Sequence, residues 1–214
     1  MTQITVSLTD YGLTAECAFF AYILARKPKA DPSISPVFVL FFCGIALAAA
    51  AGGTVHGFFQ NESSLGYRIL WPCTLVVMGI TALAGVHIGT ALQFTRSVAT
   101  YVNWAAIAVF AGYVLVVIFI RSDFLVAILD YLPSLIFIGV AFLFAHRRHR
   151  KSEFLIGFLG VCTMLLAAAA QQAKIGINPR FFDHNALYHL LQAVALFMVF
   201  LAARESTQPQ ELIN

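Results

Sequence analysis

The sequence predicts an all-α integral membrane protein, a single bundle of seven transmembrane helices with its N-terminus outside and its C-terminus cytoplasmic. Three observations carry this expectation. Of the 214 residues, 60% are hydrophobic and only 11% charged, whereas soluble domains have about a quarter of their residues charged to cover their surface. Apolar stretches of about 20 residues, enough for a helix to cross a hydrocarbon core, recur along the whole chain with short connections between them. Basic residues then gather at alternate ends of those stretches, the pattern that fixes orientation in a membrane.

Taken in order, the expected spans cover residues 8–26, 36–55, 69–94, 102–120, 124–145, 154–171 and 185–203. The first apolar run ends in RKPK rather than in a small-residue cleavage motif, so it is expected to stay as an uncleaved signal anchor. Arg26, Lys27 and Lys29 follow the first span, Arg96 the third, HRRHRK (146–151) the fifth and Arg204 the seventh. The opposite side holds only Arg68, Arg121, Lys174 and Arg180, with Asp10, Glu62, Asp123 and Asp183 among them. A bacterial inner membrane is the expected location. The net charge of +3 sits where topology puts it, which leaves no support for nucleic-acid binding. HRRHRK reads as a topology anchor with incidental contact to anionic lipid. Cys17, Cys43, Cys73 and Cys162 are scattered singly without metal spacing and read as packing residues.

The polar residues are less evenly spread. At 1.5 Å per residue, Asp10 and Glu16 fall in the outer half of the first span, and His56 at the outer end of the second. Asp130 lies about two turns into the fifth, just before Pro133. Gln171 and Gln172 close the sixth span, and the seventh opens with FFDHNALYHLLQ, residues 181–192. Polar groups from several helices therefore converge on one outer layer, and ionisable residues inside spans tend to face the bundle interior and to mark sites or pathways. Asp10 in LTDYG also reads as a plain helix cap, and His87 in GVHIG as a hydrogen-bonded packing residue. Asn185, His189 and Gln192 follow i, i+4, i+7 spacing and form one polar stripe. His184 and His189 are about 140° apart on a helix, so they share a metal only if His184 turns inward from the first turn. Asp183 before them caps the helix or orients an imidazole.

Zinc chemistry needs neutral imidazoles converging from rigid elements with one position open for water, and a carboxylate nearby to move that water's proton. His56, His184 and His189 meet the residue count, with Glu16, Asp130 and Asp10 as the proton-transfer candidates. Asn185, Asp183, Gln171 and Gln192 are the neighbours that would orient ligands or touch substrate.

This layout resembles the CREST superfamily of seven-span membrane hydrolases, which includes alkaline ceramidases and progestin/adiponectin-receptor-type proteins. In that superfamily a histidine near the end of the second span and an HxxxH pair opening the seventh bind zinc. His56 in AGGTVHGFF matches the first, and His189 in NALYHLL matches the second histidine of the pair. Asn185 stands where the pair's first histidine would be, with His184 one residue earlier. Gly52 replaces the superfamily's serine, and no aspartate opens the third span. The resemblance implies a zinc-dependent hydrolase of a lipid amide or ester bond, with a membrane lipid as substrate. A proton-coupled transporter through Glu16, Asp130 and His87, or a seven-helix protein that binds a lipid or small ligand without chemistry, are the alternatives. A retinal protein is excluded by the absence of lysine from the last span.

Overall fold

The computed structural model describes residues 2–26, 34–178 and 182–208. Lys27, Lys29 and Arg180, which the orientation argument used, lie outside the described residues. Seven helices follow one another: α1 (Thr2–Arg26), α2 (Ser35–Phe58), α3 (Leu65–Gln93), α4 (Arg96–Phe119), α5 (Phe124–His149), α6 (Ser152–Gln172) and α7 (His184–Ser206). Each contains its expected span, to within a residue at the end, and most run several residues further. The extensions are more polar ends that a hydropathy ruler trims, such as Thr2–Ser7 before the first span and Arg96–Tyr101 before the fourth.

Six of these helices, α2 to α7, are long and apolar enough to cross a membrane, which makes this an integral membrane protein. The more polar α1, with Asp10 and Glu16 in its length, is not among them, yet it packs as an integral part of the bundle. Its neighbours are α2 and α7. Further contacts run α2 to α3, α3 to α5, α5 to α6 and α6 to α7, so six helices close a ring. Helix α4 stands outside that ring, mainly against α3 with a lighter contact to α5, and buries little beyond Tyr113 and Val117.

Helix starts and ends follow local chemistry. The Ser64 hydroxyl accepts from the Tyr67 amide at the start of α3, and Asp183 accepts from the amides of Asn185 and Ala186 at the start of α7. Pro36 falls in the first turn of α2, where its missing N–H costs nothing. Arg150 ends α5 in the left-handed conformation at φ 58°, a helix-terminating geometry more usual for glycine.

The half of the bundle away from the N-terminus of α1 is filled by aromatic rings. Phe20 of α1 stacks on Phe200 of α7 with centroids 4.3 Å apart, and Phe42 of α2 meets both edge-on. Small residues bring helices together elsewhere, as interfaces without a hydrophobic driving force require. A Cβ on Gly53 would lie 2.8 Å from Asp10 Cβ at the α1–α2 crossing, and one on Gly160 would lie 2.8 Å from the Ala195 carbonyl oxygen at the α6–α7 crossing. Buried and half-buried polar side chains tie distant segments together through main-chain carbonyls. Ser134 donates to Ala82 O, Tyr113 to Leu75 O and the Trp71 indole to Ser122 O, each at 2.7 Å. The opposite half is less completely filled, and the cavity described next lies there.

Candidate functional site

A cavity of about 320 Å³ opens between α1, α2, α3, α5, α6 and α7. Its polar wall comes from the N-terminal parts of α1 and α7 and the C-terminal ends of α2 and α6, which places it at the end of the bundle where α1, α3, α5 and α7 begin. Deeper, the wall turns apolar, with Leu13, Ile45, Met78, Met164 and Leu196. Helix α4 contributes nothing to it.

The polar wall centres on one contact between the first and last helices. His189 Nε2 lies 3.3 Å from Asp10 Oδ1, and His189 Nδ1 lies 2.9 Å from the Thr9 hydroxyl. Thr9 reaches the Val6 and Thr5 carbonyls at 2.8 and 3.1 Å. The single Thr9 hydrogen goes either to one of those carbonyls, with Thr9 accepting from Nδ1–H, or to Nδ1 itself. Nε2 faces an Asp10 oxygen in either case, and one proton lies between them: on Nε2 of a neutral or charged imidazole, or on the acid beside a neutral imidazole. The contact holds a proton and orients the ring at the same time.

The second carboxylate oxygen, Asp10 Oδ2, is buried and has no hydrogen-bond partner, and the same is true of Gln192 Oε1. Both residues line the cavity, at 5% and 6% exposure. Asp10 Oδ2 faces the bare backbone of Gly52 on α2, where a Cβ would lie 3.9 Å away. Buried acceptors without partners are uncommon in folded proteins. Across the cavity, His56 lies edge-on to Trp71. At the rim, the Gln171 amide donates to Asn185 Oδ1 at 3.0 Å, tying α6 to α7.

Six of the residues singled out from the sequence thus line one cavity: Asp10, His56, Gln171, Asn185, His189 and Gln192. Four do not line it. Asp183 is occupied as the α7 cap. His184 is the first residue of α7, about 140° round the helix from His189, and is absent from the wall. Glu16 is six residues, about 120° of rotation, from Asp10 and is likewise off the wall, with Oε2 buried and unpartnered. Asp130 sits one residue before the wall residue Tyr131, on the side of α5 that feels Tyr113 of α4. Sequence reading passed over Thr9, Trp71, Tyr131 and Tyr188. The three aromatics sit among many in the apolar spans, and Thr9 gives no signal until α1 and α7 are brought together.

The chemistry of Asp10, His56 and His189, two imidazoles and a carboxylate, is that of a catalytic zinc donor set, and the unpartnered Asp10 Oδ2 is the kind of oxygen an ion would satisfy. Among the described residues, however, no three His, Cys, Asp or Glu side chains stand close enough together to form a ready-made metal site.

No curated protein and no solved structure matches the chain. One family model matches residues 5–208, which include all seven helices almost entire and every wall residue of the cavity, and on that match the chain belongs to DUF6962, a family of unknown function.

Proposed function

We propose that this protein takes a membrane amphiphile into the cavity, polar head among Asp10, His56, His189 and Gln192 and apolar body along the deeper wall. The observation that carries this reading is the division of the wall into one polar end and one apolar end. A largely apolar pocket with a few convergent polar groups is the usual form of a small-ligand site. The bundle is proposed to cross the membrane seven times, α1 included, with the N-terminus and the cavity mouth outside and the C-terminus in the cytoplasm. In a bacterium that membrane would be the inner one. Native mass spectrometry of protein purified in mild detergent tests the reading. An amphiphile-sized adduct is expected on the wild type and not on Ala48→Phe, which fills the wall; an adduct-free wild type, or one unchanged by filling, argues against it.

A second reading, hydrolysis of an amide or ester bond at that head, is favoured by the proton held between His189 and Asp10. Such a pair is placed to give or take a proton at a bound carbonyl compound. In this reading His56, His189 and Asp10 would hold zinc, which supplies Lewis acidity toward the carbonyl, while Thr9 fixes the His189 ring and Gln192 and Asn185 orient the head. The transporter alternative has less behind it. Towards the other end of the bundle, His87 and Gln93 are each engaged with a main-chain carbonyl, of Leu83 and Ala141.

A further inference from the structure

We propose that the cavity selects an amphiphile whose head donates hydrogen bonds, an ammonium head above all, and rejects acceptor-only anionic heads such as carboxylates. This deepens the amphiphile reading and rests on it. The first ground is the pair of unpartnered acceptors. Asp10 Oδ2 and Gln192 Oε1 are buried at the wall with nothing donating to them, and a buried acceptor left unsatisfied costs about 1–3 kcal/mol. A head that brings N–H or O–H groups removes that cost, whereas one that brings more acceptors adds to it.

The second ground is charge. Among the described residues no lysine or arginine lines the cavity, and its one acid is Asp10. Whichever way its proton sits, the Asp10–His189 pair carries no net positive charge, so an anionic head would be buried with no cation among the described wall residues to spare for it, the costly arrangement in low dielectric. The third ground is the aromatic wall. Trp71, Phe124, Tyr131 and Tyr188 all face the cavity, and ring faces attract ammonium groups.

Gly52 completes the argument. With no side chain there, Asp10 Oδ2 has open space in front of it, and a Cβ would meet only Asp10 Oδ2 and Thr74 Cγ2, both at 3.9 Å. A serine at this position would fit without displacing a neighbour and would place its own hydroxyl against Asp10, an internal substitute for the ligand's donor.

The test uses Trp71 as reporter. The chain has two tryptophans, and Trp104→Phe on the exposed face of α4 leaves Trp71 alone. Full-length protein in nanodiscs of zwitterionic lipid is titrated with dodecylammonium and with dodecanoate at equal membrane mole fractions. Dodecylammonium is expected to change Trp71 fluorescence saturably and to bind about tenfold or more tighter than dodecanoate, the ratio that one unsatisfied buried acceptor implies. Asp10→Asn, near-isosteric, should remove most of that preference, and Gly52→Ser, which keeps the carboxylate, should weaken dodecylammonium while leaving the fold intact by size exclusion. Dodecanoate binding as tightly as dodecylammonium, or a preference unchanged in both variants, overturns the donor-head inference but leaves the amphiphile reading standing. No saturable binding by either chain overturns both.

Discussion

His189 on α7 and Asp10 on α1 meet side chain to side chain, Nε2 to Oδ1 at 3.3 Å, so that the last helix of the chain is fastened to the first across the cavity wall. The pair closes the ring of helices at the level where the cavity is most polar. Removing both groups should therefore cost less than the sum of removing each. A double-mutant cycle of Asp10→Asn and His189→Gln, read by reversible unfolding in mixed micelles, is expected to give a coupling of roughly 1 kcal/mol, within the range of interhelical polar contacts in membranes. Additive effects would mean the contact contributes nothing to holding α1 on α7.

The i, i+4, i+7 stripe of Asn185, His189 and Gln192 was legible because it is local: helical periodicity alone puts the three on one face, and all three line the cavity. That Asp10 and His56 share one end of the bundle was legible from depth alone, since helix rise is fixed. What depth does not give is rotation. Glu16 and Asp130 lie at suitable heights but face away from the wall, because the face that a helix turns inward is decided by packing on its neighbours. Likewise, seven apolar stretches do not say that α4 lies outside the ring, nor that Gly53 is the point where α1 meets α2. Those are properties of pairs of helices distant in sequence.

Gly53 leads to a second prediction. A Cβ there would approach Asp10 Cβ to 2.8 Å and the Ser7 carbonyl oxygen to 3.2 Å, and Ser7 donates its hydroxyl to the Gly53 carbonyl at 2.7 Å. Gly53→Ala should force α1 and α2 apart at a cost of about 1–3 kcal/mol and disturb Asp10. Gly112→Ala on α4, where a Cβ would have nothing within 4 Å, is the matched control and should be neutral or slightly stabilising. Thermal unfolding in one detergent compares the two; equal melting temperatures would show that the α1–α2 crossing is not tight.

Asp183 caps α7 through two amides, each at 3.0 Å from Oδ1, and Asn185 in that same turn accepts from Gln171. Asp183→Ala should cost about 1 kcal/mol and loosen the cavity rim by freeing the first turn. Hydrogen exchange is the direct readout. Faster exchange at Asn185 and Ala186, with the α7 interior unchanged, is expected; an unchanged first turn would mean the cap is redundant.

The proposed seven-span topology turns on α1, the one helix too polar to satisfy a span by composition. If α1 crosses, the two termini lie on opposite sides. A periplasmic-only reporter enzyme fused after residue 208 should be inactive, while a tag before residue 2 should be open to protease in intact spheroplasts. Termini on the same side would place α1 along the surface and require the cavity mouth to be reassigned.

Metal content separates the two functional readings. Hydrolysis through zinc expects about one ion per chain in protein purified without a nickel column, lost in His56→Ala and in His189→Ala. His184→Ala is the informative control. By residue count it belongs to a three-histidine set, yet it stands off the cavity wall, so zinc should survive its removal. Loss of zinc in His184→Ala would mean that the first turn of α7 turns inward when the ion binds and that Asp10 is not the third ligand. Folded protein that purifies without metal and still takes up amphiphile would leave Asp10 and His189 as a proton-holding pair that positions a bound head, and would put catalysis aside.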